Sequence, residues 1–311
     1  MTAIFTDAQP GNDVLRTRLY DGDLFVYSPS AASAALCGFA REMVCDAFGP
    51  LDPELAQFEL PVERYASLLA ELKPRFIHHA ETKRLLRDLL RSLGFDETRT
   101  YFDVPRLRSS TSHGYLTTGI AYAFHAHRDT WYSAPMCQIN LWMPVFAVRP
   151  DNIMAFHPQY WSRPVLNSSA GYDYQRWNAT SRFNAAQHVG KDTREQPKAL
   201  EPLELEPDLR IVTPVAGVQL FSAAQLHSSI RNESGRTRFS IDFRIVNVDD
   251  ARAGIGAPNV DSHCTGTALG DFLRLSDLAP IDQDLVQRYL PGHPQRPRHA
   301  PPRAGVLAQD A

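Results

Sequence analysis

The sequence predicts a mainly β protein with flanking helices, and two observations carry that reading. From residue 99 onward, apolar and polar residues alternate with a period of two in the runs TYFDVPRLRSS, GIAYAFHAHRD, QINLWMPVFAV, VAGVQLF and RTRFSIDFRIVNV. Between residues 30 and 95 the apolar spacing is that of helices. The β half is expected to form a sandwich or barrel. At 311 residues and 43% hydrophobic composition the chain can bury one large core, and a single domain over 1–290 is expected.

In chain order, residues 14–27 read as two short extended runs around the turn signal Asp21-Gly22-Asp23. Ser30 can cap a helix with Leu36, Phe39, Met43 and Val44 on one face, ended by Gly49-Pro50. Further helices are expected around 61–72 and around 80–93, the second presenting Leu85, Leu86, Leu89, Leu90 and Leu93 before Gly94. Helices therefore occupy about 30–95 as scaffold, and the β core about 99–250. Within the core lies a polar stretch, about 150–200, that holds Tyr160, Trp161, Tyr172, Tyr174, Trp177 and Phe183. A long loop with that many large aromatics is expected to be a lid. Residues 291–311, with Pro291, Pro294, Pro297, Pro301 and Pro302 and little apolar content, read as a disordered tail.

A formal net charge of −3 and a pI near 6.4 give no general attraction to phosphate backbones or anionic membranes, so neither nucleic acid nor membrane is an expected partner. No stretch approaches about 18 consecutive apolar residues, and the start lacks a basic region followed by an apolar core. A cytoplasmic protein acting on a small molecule is the expectation. Cys37, Cys45, Cys137 and Cys264 form no CxxC pair, which argues against a disulfide framework and a thiolate zinc site. Cys37 and Cys45 are expected to pack on the core side of their helix. The sequence has no Gly-rich phosphate loop, no G-x-S-x-G and no HExxH, so nucleotide, serine-hydrolase and zinc-protease readings have no footing.

The chemistry concentrates in His127-Arg128-Asp129, an H-x-D at the end of an extended run, where alternation sends residues 127 and 129 to one side. A second histidine, His227, follows the apolar run VAGVQLF. Two imidazoles and one carboxylate make the facial triad that leaves metal positions open for further ligands. After a turn, alternation puts Arg236, Arg238, Ser240, Asp242 and Arg244 on one face of the next strand, and Thr237, Phe239, Ile241 and Phe243 on the other. A guanidinium forks onto a carboxylate, and a hydroxyl two residues on can add a third bond, so Arg238-x-Ser240 suits a carboxylate clamp.

The order H-x-D, a gap, His and then Arg-x-Ser resembles the iron(II)/2-oxoglutarate-dependent oxygenases, and more narrowly their phytanoyl-CoA-hydroxylase-like small-molecule branch. The resemblance covers roughly residues 10–250. It implies a double-stranded β-helix (jelly-roll, cupin-like) core. It further implies Fe(II) on His127, Asp129 and His227, 2-oxoglutarate as co-substrate on Arg238 and Ser240, and O2 as oxidant. Related iron halogenases carry a small residue where Asp129 stands, so the resemblance implies oxidation of a C–H bond by hydroxylation, ring closure or desaturation. The alternatives are a metal-dependent jelly-roll isomerase, hydrolase or dioxygenase that does not use 2-oxoglutarate, and a β-sandwich binding module with an incidental H-x-D.

Other residues carry two readings each. His125, two before His127, either competes as a ligand or lines the pocket. Gln138, Asn140 and Trp142 share a strand face; the amides either bond the co-substrate or a metal-bound carboxylate, or face outward. Arg106 and Arg108 either anchor a substrate carboxylate or lie on a solvated edge. Trp131 is expected near the metal, Trp161 and Trp177 can close over a substrate, and Arg244 is a further candidate for contact with the substrate. His78 and His79 read as surface or core residues, and His263 beside Cys264 lacks further ligand spacing for a second metal.

Overall fold

A computed structural model of the protein describes residues 2–121 and 125–294, apart from the side chains of Arg182 and Phe183. The tail expected at 291–311 lies outside the described residues from 295 on, as do residues 122–124 of the second β run.

The chain opens with strand β1 (Ile4–Thr6), helix α1 (Asn12–Tyr20), strand β2 (Leu24–Tyr27) and helices α2 (Ala31–Phe48), α3 (Val62–His78) and α4 (Ala80–Ser92). Strands β3 (Thr100–Phe102), β4 (Arg106–Ser110), β5 (Ile139–Pro144) and β6 (Met154–Phe156) follow, then helix α5 (Tyr174–Thr180). Strands β7 (Val218–Ser222), β8 (His227–Ser229) and β9 (Arg238–Asn247), helix α6 (Val248–Ala253), strand β10 (Leu273–Arg274) and helix α7 (Gln283–Arg288) complete it. Among the described residues, no helix is long and apolar enough to cross a membrane.

The strands form two sheets. The larger runs β1-β2-β7-β5-β9-β3-β10, with β4 also paired to β9. Every pairing is antiparallel except β1 with β2. The smaller sheet is β6 with β8, widened on one side by a bridge between Phe156 and Leu209 and on the other by a bridge between His127 and His227.

Alternation decides which sheet face meets what. Ile139, Leu141 and Met143 of β5 and Phe239, Ile241, Phe243 and Ile245 of β9 join one buried cluster with Leu36 and Val44 of α2, Leu69 and Phe76 of α3, and Leu86 and Leu89 of α4. The helices thus cover one face of the larger sheet. On the opposite face Trp142, Phe221 and Leu24 pack against Met154 and Phe156 of the smaller sheet. The polar residues of β5 and β9 are therefore enclosed between the sheets.

Several expectations need correction. Residues 12–20 are helical, because Leu15 and Leu19, four apart, are both buried on one side of α1. The helix expected around 61–72 continues through Pro74 to His78, with Phe76 in its last turn fully buried. Cys45 is exposed while Cys37 is buried, since eight residues advance a helix about 80° beyond two turns. In the run GIAYAFHAHRD, 119–121 and 129–132 form short 3-10 turns, and among the described residues pairing is limited to the His127 bridge. The stretch 150–200 is not one loop: it contains β6, several short turns and α5, with Tyr160 and Tyr172 buried. Other expectations hold. Ser30 caps α2 in a reciprocal pair with Ser33, and Gly49 and Gly94 take positive φ at 62° and 78° at the ends of α2 and α4.

Candidate metal centre

His127 and His227 lie opposite each other on adjacent segments of the smaller sheet. The His127 N–H donates to the His227 carbonyl at 2.9 Å and the His227 N–H to the His127 carbonyl at 3.0 Å. This narrow pairing brings the two imidazole centroids to 4.4 Å. Asp129 starts the 3-10 turn Asp129–Tyr132 directly after the bridge. Its Oδ1 lies 3.3 Å from His127 Nε2 and 3.9 Å from His227 Nε2. One ligand atom from each of the three residues lies within 4.8 Å of the others, a spacing that can hold a metal ion.

The neighbours set each ligand's orientation and protonation. His127 Nδ1 is 2.8 Å from the His125 carbonyl, and His227 Nδ1 is 3.0 Å from the Gln225 carbonyl. A carbonyl only accepts, so both Nδ1 atoms carry a proton, and both Nε2 atoms lie on the Asp129 side. His125 itself is exposed and contributes its carbonyl rather than its ring. Burial first, then the neighbouring His127, push His227 down to about 4, so its ring is neutral at physiological pH. Burial would raise the Asp129 carboxyl, but the adjacent His127 ring, then His227 and Arg244, outweigh that and hold it well below the usual carboxylate range.

Gln138 and Asn140 reach this carboxylate from β5. Asn140 Nδ2 donates to Asp129 Oδ2 at 2.9 Å and Gln138 Nε2 to the same oxygen at 3.4 Å, while Gln138 Nε2 also donates to Asn140 Oδ1 at 2.9 Å. The amides hold Oδ2 and leave Oδ1 facing the imidazoles. This favours, of their two readings, the one in which they bond the carboxylate.

Arg128, between the two ligands in sequence, anchors the loop. Only 1% exposed, it donates to the carbonyls of Ala224 and Tyr160 at 2.5 Å each and of Arg163 at 3.0 Å, and its Nε lies 3.1 Å from Asp261 Oδ2. Asp261 also accepts from Trp131 Nε1 at 2.7 Å and from the Val165 N–H at 3.0 Å. The buried ion pair thereby ties the H-x-D loop to Asp261 and Val165, and the bond to Ala224 ties it to the segment that leads into His227. Trp131 is fully buried with Tyr160, Val165 and Leu226, so it anchors the loop instead of lining the pocket.

Farther along the inner face of β9, Arg238 is 6% exposed, stands over the Trp142 ring at 5.8 Å and donates Nη1 to the Asn152 carbonyl at 2.9 Å. Its Nε and the hydroxyl of Ser240 are buried with no hydrogen-bond partner among the described residues. Burial pushes the Arg238 guanidinium down to about 10, which leaves it charged at neutral pH. Arg108 forks onto Asp242 at 2.7 and 3.2 Å, while Arg106 and Arg244 both donate to Asp103, at 2.8 and 2.6 Å. Both residues of the Arg106/Arg108 pair are held in ion pairs on strand β4, which pairs only with β9 among the described residues.

The aromatic residues of the 150–200 stretch divide. Trp161 packs on Gly22, in the turn between α1 and β2; a Cβ there would come within 2.6 Å of the indole, and Gly22 has φ 95°. This contact departs from the expected closing role. A column of rings instead leads from the centre into α5: His127 to Tyr132 at 5.5 Å, Tyr132 to Tyr172 at 5.5 Å and Tyr172 to Trp177 at 5.8 Å. Sequence reasoning missed Tyr132, Asp261 and Asp103, named Tyr172 only as one of the lid aromatics, and gave Arg128 no role. Only Tyr132 had a usable signal, three residues past Asp129 in the turn the motif begins.

The chain matches no protein-family profile and no curated protein sequence. Among solved structures it is similar to EvdO2 from Micromonospora carbonacea var. aurantiaca complexed with 2-oxoglutarate, at 11% identity and a TM-score of 0.34, over 56% of this chain and 62% of that one. It is similar to the non-heme monooxygenase ThoJ at 12% identity and a TM-score of 0.37, over 84% and 86% of the two chains. It is also similar to the epimerase SnoN in complex with Fe3+, alpha ketoglutarate and nogalamycin RO, at 12% identity and a TM-score of 0.39, over 95% and 98%. These likenesses are remote, and the match to EvdO2 spans less than two thirds of that chain.

Two outcomes follow from this geometry. Asn140→Ala should weaken cobalt(II) binding by about 10–100-fold without altering the circular dichroism spectrum, because it frees Oδ2 of a ligating carboxylate; unchanged affinity would show that the amide does not position Asp129. Asp261→Ala should lower unfolding free energy in urea by about 3–5 kcal/mol, since Arg128 would be left charged, buried and unpaired. A loss below about 1 kcal/mol, typical of an exposed pair, would contradict that account.

Proposed function

We propose that the protein is an iron(II)- and 2-oxoglutarate-dependent oxygenase of the phytanoyl-CoA-hydroxylase-like kind, which oxidises a C–H bond of a small polar molecule. In this reading the two sheets are the halves of a double-stranded β-helix. The single observation that carries it is a pair of orphaned groups, Arg238 Nε and Ser240 Oγ, buried without partners in the same intersheet space as the triad. Buried polar groups are nearly always satisfied, so donors two residues apart on one face call for an acceptor that the described residues do not supply. A carboxylate fits both, with charge-assisted bonds from the guanidinium and one from the hydroxyl.

The donor set fits the metal as well. Two imidazoles and one carboxylate, all on one side, suit iron(II) and leave positions for a bidentate 2-oxo acid and dioxygen. When bound, iron(II) and 2-oxoglutarate supply the oxidising power to break a C–H bond, with succinate and carbon dioxide as co-products.

The chain's own residues do the rest. His127 and His227 present Nε2 because their Nδ1 protons are engaged by carbonyls. Asn140 and Gln138 hold Asp129 through Oδ2, so that Oδ1 faces the metal position. Arg238 and Ser240 would hold the distal carboxylate of 2-oxoglutarate, with Trp142 as an apolar wall beneath the guanidinium. Residues around 158–200, joined to the centre through Tyr132, Tyr172 and Trp177, would act as the lid and keep water out. The nature of the donor set and the buried clamp favour this reading over a metal-dependent isomerase or hydrolase, which would leave Arg238 and Ser240 without a purpose.

Anaerobic titration with iron(II) and then 2-oxoglutarate tests it. The wild type should develop a weak visible charge-transfer band only with both components. Arg238→Ala should bind iron equally well and need at least about tenfold more 2-oxoglutarate. Iron binding without a band in the wild type would remove the 2-oxoglutarate assignment and leave only a metal centre.

A further inference from the structure

We propose that Arg244 and Arg106 form a second oxyanion subsite beside the metal centre, which holds a carboxylate or phosphate group of the organic substrate. The inference rests on the reading above and names the substrate class for it: a small molecule with an anionic group near the carbon that is oxidised.

Position separates this subsite from the clamp. Arg238 and Arg244 are six residues apart on β9, about 20 Å between their backbones along an extended strand, so a carboxylate held by Arg238 is not also held by Arg244. Arg244 pairs across the sheet with Asn140, the residue whose amide holds Asp129. Arg238 lies at the opposite end of the face, beside Ser240, which pairs with Pro144. Arg244 therefore stands beside the residues that hold Asp129, and Arg238 lies farther along the strand, with the co-substrate position between them.

Charge points to the same place. Asp103, 3% exposed, accepts from Arg244 Nε at 2.6 Å, from the Arg244 N–H at 2.7 Å and from Arg106 Nη1 at 2.8 Å. Two guanidinium groups on one carboxylate leave one positive charge in excess. Arg108 offers no comparable excess, because Asp242 meets it with both oxygens. Over the whole face, four arginines meet Asp103 and Asp242. Iron(II), Asp129 and a 2-oxoglutarate dianion together would bring one negative charge. One positive charge is then left, and buried charge requires a partner.

The free donors are in reach of a ligand. Neither terminal nitrogen of Arg244 makes a hydrogen bond among the described residues, and Arg106 keeps Nε and Nη2 unused. The two side chains are 18% and 20% exposed, shielded enough to strengthen a charge-assisted bond and open enough to be reached. A carboxylate or phosphate on these donors would set a neighbouring carbon close to the metal position, which is the orientation that oxidation of one chosen C–H bond needs.

The test uses the metal-free full chain, so that no probe can coordinate an ion. Inorganic phosphate is titrated and its binding read by phosphorus NMR line width, with acetate as competitor. In Arg238→Gln, which removes the clamp, phosphate should still bind. Adding Arg106→Gln or Arg244→Gln to that background should weaken binding by about tenfold or more. Displacement by acetate would assign the subsite to carboxylates, and failure of acetate to displace would assign it to phosphate esters. Loss of all binding in Arg238→Gln alone, or no change on adding Arg106→Gln, would overturn the proposal. Arg106 lies on a separate strand from Arg244, so Arg106→Gln keeps the test open if Arg244→Gln fails to fold. The titration contains neither iron nor 2-oxoglutarate, so its failure is distinct from failure of the co-substrate assignment.

Discussion

The backbone pairing of His127 with His227 is the constraint on which the rest of the centre depends. Two reciprocal hydrogen bonds place the imidazoles side by side before any metal arrives, and Asp129 then needs only one tight turn to reach them. Holding three ligands in place in the folded chain means that binding a metal costs little reorganisation. The Arg128–Asp261 pair keeps this arrangement in register. It is buried, so its desolvation must be offset by good geometry, and Arg128 has that in one carboxylate and three carbonyls.

The inner face of the larger sheet is the second constraint. Packing the apolar residues of β5 and β9 against the helices forces their alternate residues into the space between the sheets. Those residues include four arginines, counting two from β4, and burying that much positive charge is tolerated only with anions close by. Asp103 and Asp242 supply part of the balance. The orphaned donors of Arg238 and Ser240 at one end, and the shared Asp103 at the other, mark where the balance is incomplete. In this account the enzyme's co-substrate and substrate complete what the fold leaves uncompensated.

The parts of the structure legible in sequence are those in which one period dominates. β9 and β5 alternate cleanly over their whole lengths, so the face of Arg238, Ser240, Asp242 and Arg244, and that of Gln138, Asn140 and Trp142, could be assigned from spacing alone. α2 and α4 were legible because caps and apolar stripes agree. α1 was not, since nine residues with Leu15 and Leu19 buried are too few to outweigh an apparent alternation. β6 and β8 span three residues each, too short to show any period. The Asp261 partner of Arg128 lies 133 positions away in an irregular segment, and such a pairing leaves no local trace. Trp131 and Trp161 show the same limit: composition places large aromatics near a motif but does not say whether they point into the pocket or into the packing behind it.

The most direct measurement of the central claim is the fate of 2-oxoglutarate in air with the purified chain. With iron(II) and O2 present, succinate should accumulate in the wild type, at least slowly without substrate, and should be absent in Asp129→Ala and in His227→Ala, which remove one ligand each. Intact 2-oxoglutarate after prolonged incubation of an iron-loaded wild type, or equal succinate from Asp129→Ala, would contradict the account.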